Sequence, residues 1–280
     1  MFDVFDRFTI PVDDWVQTAV DWVVTEFRWL FQYAKWPVEQ LLDGIDSLLQ
    51  ATPELIILAL IFLIAWRAAS IRVAAFSVVA LSFVGFLGLW PETMTTLAMV
   101  ISAVLVCVLI GVPLGIAAAR SDLVESVIRP VLDAMQTTPA FVYLVPVVML
   151  FSVGTVAGVI ATIIFASPPI IRLTNLGIRQ VDSEVVEAAR AFGATSRQIL
   201  TEIQIPLALR TIMAGMNQTL MLAISMVVIA AIIGAGGLGV PVFEGLNSFN
   251  VGRAAVGGIG IVILAIIIDR ITQAMAADKT

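Results

Sequence analysis

Long apolar runs separated by short polar joints constrain this chain more than any other feature of its sequence. The runs fall near 53–66, 73–90, 96–119, 140–152, 155–171, 211–234 and 252–268. A bilayer core of about 30 Å takes roughly 17–25 helical residues to cross. In hydrocarbon a segment must satisfy its own backbone, which a helix does. The expected fold class is therefore an all-α polytopic membrane protein with about seven spans. The first and fourth runs are short and draw on flanking residues. The joint at Ser152–Thr155 is either a loop or a bend, and a bend would lower the count. Composition agrees: of 280 residues, 60% are hydrophobic and 13% charged.

Arginines set the expected orientation. Arg67 and Arg72 bracket one joint, Arg120 and Arg129 a second, and Arg172, Arg179, Arg190, Arg197 and Arg210 cluster at a third. Arg270 and Lys279 follow the last run. The alternate joints, around Glu92, around Gly154 and from Ala235 to Val251, hold neither Arg nor Lys. By the positive-inside rule the arginine-bearing joints face the cytoplasm. Seven spans then put the N-terminus outside and a short tail, 273–280, inside.

Missing residue types narrow the chemistry. The chain has no histidine and one cysteine, Cys107, within an apolar run. That excludes a disulfide framework and an ordinary zinc site. Neither Lys35 nor Lys279 follows the glycines of a phosphate-binding loop, so the chain is not expected to hydrolyse ATP by that fold. No nucleophile–base pair, metal set or cofactor fingerprint argues for an enzyme. The net charge of −6 arises largely in the first 54 residues and supplies no basic tail for nucleic acid. The N-terminus lacks a basic region followed by an apolar one, so no cleaved signal peptide is expected.

The interiors of the runs hold no Asp, Glu, Lys or Arg, Glu54 lying at a boundary. Carriers powered by titrating side chains place such groups at membrane depth, which argues against that class. Sodium coupling through carbonyls at broken helices stays open. No charged ring or filter repeat suggests a channel. Gly111, Pro113 and Gly115, with Pro139 and Pro146 in the next run, read as packing kinks in preference to a binding site. The run Gly234-Ala235-Gly236-Gly237-Leu238-Gly239 ends a span and lacks the strand–turn–helix setting of a nucleotide fingerprint. It reads as backbone suited to close approach or motion, with Gly234, Gly236, Gly237 and Gly239 as candidate gate hinges.

Phe8, Trp15, Trp22, Trp29 and Trp36 recur every seven residues in the first fifty, interleaved with Asp13, Asp14, Asp21, Glu26 and Arg28. On a helix they form one slowly drifting stripe. Trp favours the headgroup zone, so the stripe reads as an interfacial anchor or a packing seam on the outer face. An aromatic cage for a quaternary ammonium group needs rings that converge, whereas these spread over roughly 40 Å of helix.

The polar insert at 187–206, EAARAFGATSRQILTEIQIP, interrupts this apolar chain. Glu187, Arg190, Arg197 and Glu202 sit beside Ala188, Ala189, Ala191, Phe192, Ile199, Leu200 and Ile203. Helical spacing separates charge from small and apolar contacts. Gly193 falls where a left-handed cap is needed, Thr195 or Ser196 can cap a second helix, and Pro206 suits the first turn of a third. Two short helices joined at a glycine, on the cytoplasmic side, would give a soluble partner a handle.

Glu187-Ala188-Ala189, three residues, Gly193, nine residues, then Ile203-Gln204-Ile205-Pro206 resembles the EAA loop of permease subunits of binding-protein-dependent ABC importers. The family usually has Leu where this chain has Ile205. The stretches at 133–151, 167–181 and 213–239 look like the glycine betaine/proline (ProW-type) permeases, and the likeness runs from about Asp13 to Gln273. The resemblance implies a type I ABC importer transmembrane fold. It implies a core at 96–272 with its coupling loop at 182–206, two additional helices at 51–95, and a Trp-rich amphipathic segment at 1–50. It implies a homodimer in the bacterial inner membrane, with two cytoplasmic ATPase subunits and a periplasmic solute-binding protein. ATP and Mg belong to the ATPase, and this chain binds no cofactor or metal. Glu187, Ala188, Ala189, Arg190, Phe192, Gly193, Ala194, Ile203 and Pro206 are the residues implied in coupling; none is assigned to the solute path. The implied solute is glycine betaine, proline betaine or a related methylated amine. The competing readings are uptake of trimethylamine N-oxide as a nutrient and, from another class, a stand-alone channel or carrier.

Overall fold

The computed structural model describes residues 11–277, and every regular element among them is helical. In chain order these are α1 (Val12–Ala51), α2 (Glu54–Ala68), α3 (Ile71–Phe86), α4 (Trp90–Arg120), α5 (Asp122–Thr137) and α6 (Leu144–Phe151). They continue with α7 (Thr155–Arg179), α8 (Ser183–Ala191), α9 (Ile205–Ala230), α10 (Gly239–Asn247) and α11 (Val251–Ala277). Phe8 and Lys279 lie outside the described residues.

Four stretches are long and apolar enough to cross a bilayer alone: Trp90–Arg120, Thr155–Arg179, Ser196–Ile233 and Val251–Met275. α1 with α2 and α5 with α6 combine the needed length and hydropathy only as pairs, bent by 109° and 108°, so the candidate spans number four to six. α3 is an apolar helix of 16 residues. The run at 73–90 is divided, because the chain turns at Gly88 (φ +76°) and Trp90 opens α4. The run at 140–152 is only the second limb of the pair α5–α6. Its first limb is amphipathic, since Asp122, Glu125 and Asp133 pair with arginines on α7. The joint after α6 is a loop: Ser152 has φ +70°, and α6 folds back so that Leu144, Val147 and Phe151 pack with Ala157, Ile160 and Ala161. The joint from Ala235 to Val251 contains a nine-residue helix, α10. Arg253, at the edge of the last run, pairs there with Glu244.

α7 is the central helix, flanked by α4 and α9. Small residues let these backbones approach where lipid offers no competing hydrophobic force. A Cβ at Gly115 would stand 2.5 Å from Thr174 Cβ and 2.7 Å from the Ile171 carbonyl oxygen. α7 also absorbs Pro168 and Pro169. The N–H missing at Pro168 frees the Ile164 carbonyl, which accepts instead from Ser167 Oγ at 3.3 Å. Between α9 and α11, Asn217 donates to Asp269 (3.1 Å) and accepts from Thr272 (2.7 Å).

α1 has two unlike faces. Phe31, Val38, Ile45 and Leu49 pack on the bundle around buried Leu42. At 100° per residue, the stripe Trp15, Trp22, Trp29 and Trp36 falls on the opposite side, each ring about three-fifths exposed. The rings stand roughly 10 Å apart along the helix and meet neighbours such as Tyr33, not one another. At its end, Gln50 donates to the Pro91 carbonyl (2.9 Å) and to Thr95 (3.2 Å), fixing α1 to the start of α4.

Candidate functional site

The segment between α7 and α9 is built by local capping. Asp182 accepts from the Glu184 N–H (2.9 Å) and starts α8, with Glu184 in the first turn where the helix dipole favours an acid. α8 stops in a Schellman closure: Gly193 N–H donates to the Arg190 carbonyl (2.9 Å) and Ala194 N–H to the Ala189 carbonyl (3.0 Å). The closure requires a left-handed residue, and Gly193 supplies it at φ +84°. Thr195, not Ser196, caps the next turn, in a capping box with Gln198.

The α-helical stretch α9 opens at Ile205 with Pro206 in its first turn, as expected, but the axis does not break there. From Ser196 the chain runs as one helix to Ile233, through a π-helical stretch at Ile199–Gln204. Pro206 has no N–H to donate four residues back, and its ring crowds the carbonyl of Glu202. Widening the helix ahead of it relieves that conflict without a break. Ile199 and Leu200 are buried in this stretch and anchor it.

These contacts leave the implied coupling residues facing outward. Glu187, Ala188, Arg190, Phe192, Gly193 and Pro206 are exposed; Ala189, Ala194 and Ile203 are half-buried. Phe192 is 93% exposed, a large ring with no cover from its own chain. Among the described residues, Glu187, Arg190, Arg197 and Glu202 form no ion pairs with the rest of the chain. Phe192 is thus an exposed apolar knob ringed by charges that pair with nothing among the described residues.

The base of the segment is tied by residues that the sequence did not single out. Arg179 donates to the Ala118 carbonyl (2.9 Å) and Asp122 (2.8 Å), and pairs with Glu125 (2.9 Å). Its Nε donates to Asn175 (3.0 Å), which in turn donates to Glu125 (3.2 Å). One guanidinium thus joins the end of α7 to the α4–α5 joint. The partners on α4 and α5 lie more than fifty residues away in sequence, so no local pattern marks them.

At the opposite end the glycine run is closely packed around Leu238, at Gly237 and Gly239, while Gly234 is exposed. Gly234, Gly236 and Gly237 all have positive φ. The Leu238 N–H donates to Thr96 Oγ1 (2.8 Å), and Leu238 is fully buried. A Cβ at Gly237 would stand 2.5 Å from Thr96 Oγ1, and one at Gly239 2.7 Å from Ala231 Cβ.

Long apolar helices with an outward-facing, capped loop fixed to them are the build of a multi-pass membrane protein with an exposed polar segment. Residues 111–279 match the family described as "binding-protein-dependent transport system inner membrane component", and the chain belongs to that family. It is 54% identical to the glycine betaine/proline betaine transport system permease protein ProW of Escherichia coli, over all of this chain and 79% of the relative. It is 44% identical to the glycine betaine transport system permease protein OpuAB of Bacillus subtilis, over 85% of this chain and 84% of that one. A solved structure of the MetNI methionine ABC transporter in an inward-facing conformation is similar at TM-score 0.61 and 25% identity. That likeness covers 69% of this chain and 96% of the other. The chain is thus a multi-pass, non-catalytic permease component of the inner membrane.

Proposed function

We propose that the chain is the permease of an ATP-driven importer for glycine betaine, proline betaine or a closely related methylated amine. The single observation that carries the solute class is 54% identity, along the whole chain, to a relative named for those two betaines. A trimethylamine N-oxide permease of Ruegeria pomeroyi is 42% identical over 67% of this chain, and that solute belongs in any test panel. In this reading two copies of the chain work with two cytoplasmic ATPase subunits, which use ATP and Mg, and with a periplasmic binding protein.

Glu187, Ala188, Ala189, Arg190, Phe192, Gly193, Ala194, Ile203 and Pro206 form the surface that each ATPase grips. The exposure of Phe192 and the unpaired charges around it support this reading. Gly234, Gly236, Gly237 and Gly239 shape the outer closure. Seven crossings, with α2 and α3 added to a core at 96–272, put the N-terminus outside and the coupling loop in the cytoplasm. The Arg179 bond to the Ala118 carbonyl supports that arrangement, because it gathers the Arg120 and Arg179 ends at one level.

The test is reconstitution in liposomes with the ATPase and binding protein encoded beside it. Betaine-dependent ATP hydrolysis and uptake are expected, with neither when the ATPase is left out. Flux through the permease alone would refute the assignment, and preferential stimulation by trimethylamine N-oxide would replace the solute.

A further inference from the structure

Two cavities adjoin between α4, α5 and α7, and they differ in chemistry. The first, about 380 Å³, lies at the coupling-loop end and is lined by Arg129, Arg172, Arg179, Glu125 and Asn175 together with apolar side chains. The second, about 320 Å³, is lined by Cys107, Ile110, Leu114, Val131, Met135 and Ile163 among others, almost wholly apolar. Ile128, Leu132 and Ile171 line both, so the two form one groove with a polar head and an apolar shaft.

The arginines at the head are not all paired. Arg172 pairs with Asp133, and Arg179 with Asp122 and Glu125. Arg129 has no acidic partner among the described residues. In addition, Arg172 Nε is buried without an acceptor, and a buried donor left unmade carries its full desolvation penalty until something fills it. One unpaired guanidinium and one spare N–H match one phosphodiester. An apolar helix from a second copy would leave both unanswered.

The groove has the length of a leaflet. Along α4 its lining runs from Cys107 to Ala118, about 16 Å at 1.5 Å per residue, and half of a hydrocarbon core is about 15 Å. We propose that the groove binds a glycerophospholipid of the leaflet on the coupling-loop side. Arg129 and Arg172 hold its phosphodiester, and one acyl chain lies between α4, α5 and α7. The chain then wedges α5 from α7 immediately above the Arg179 junction.

Native mass spectrometry of the assembled transporter, extracted in mild detergent, tests this. About one phospholipid per permease chain should survive extraction and resist displacement by inorganic phosphate. Arg129→Ala should lower retention roughly tenfold, the effect of one lost charge-assisted hydrogen bond. Val131→Trp, at a rim position 56% exposed, should block the shaft and lower it too. Both changes lie on the surface, and recovery of the ATPase-bound complex checks folding. No retained phospholipid, retention unchanged in both variants, or displacement by inorganic phosphate would overturn the proposal. So would a disulfide between Ile110→Cys of one copy and Val131→Cys of another, in a Cys107→Ser background, since a second copy would then occupy the groove.

Discussion

Replacing Gly193 tests the coupling loop through backbone conformation alone. Gly193 has φ +84°, and a Cβ built there meets nothing within 4 Å. Any effect inside this chain is therefore strain, not collision. A left-handed residue with a Cβ costs roughly 1–2 kcal/mol; Asn tolerates the region best, and β-branched residues tolerate it worst. The expected order of damage is Asn, then Ala, then Val. If Gly193→Val disfavours the closed α8 turn by about 1.4 kcal/mol, the ratio of closed to open loops falls about tenfold, and the ATPase needed for engagement rises by up to that factor. The assay is titration of purified ATPase onto the reconstituted permease, read as stimulated hydrolysis and uptake, with membrane insertion checked separately. Gly193→Asn should stay close to wild type, while Gly193→Val should need up to about ten times more ATPase and lose uptake. Equal impairment by Asn and Val would refute the reasoning, because side-chain bulk at the contact would then outweigh φ.

Other positions give sharper or milder outcomes. Gly115→Val should prevent accumulation of folded protein, since its Cβ would overlap Thr174 and a backbone oxygen, whereas Gly258→Ala, with nothing within 4 Å, should be neutral in thermal unfolding. Thr96→Val removes the acceptor of the buried Leu238 N–H and should cost about 1–3 kcal/mol, with Thr96→Ser restoring the melting temperature. Arg179→Met opens the α4–α5–α7 junction. Because Arg179 is about one-third exposed, the loss of stability should be only about 1 kcal/mol, but uptake per ATP hydrolysed should fall further than stability does.

Local features are the ones the sequence makes legible. Gly193, Thr195 and the charges around them act within a few residues, so the capped loop can be read directly from the order of its residues. The apolar runs imply helices, since hydrocarbon leaves the backbone no other partner. The divided span α5–α6 is not legible in this way: α5 carries charges whose partners, Arg172 and Arg179, lie some forty or more residues away. Pro206 does mark the first turn of α9, but nothing local shows that a π-helical stretch joins that turn to the helix before it. α10 is hidden by the glycines that precede it. The seven-residue Trp spacing is plain, but its direction, away from Val38, Leu42 and Ile45, depends on what α1 packs against.

The π-helical stretch at Ile199–Gln204 also divides the chain by its tolerance of length change. On its loop side, around Gly193, an inserted or deleted residue alters only the reach of an exposed tip. On its membrane side the same change would turn every following position by about 100°. Gly215 would swing away from Leu173 and Asn217 away from Asp269, and side chains would meet backbone that has room only for hydrogen. Length variation among functional variants of this chain should therefore stop abruptly at Ile199. That single turn is where a freely adjustable tip meets a body whose rotational phase is fixed.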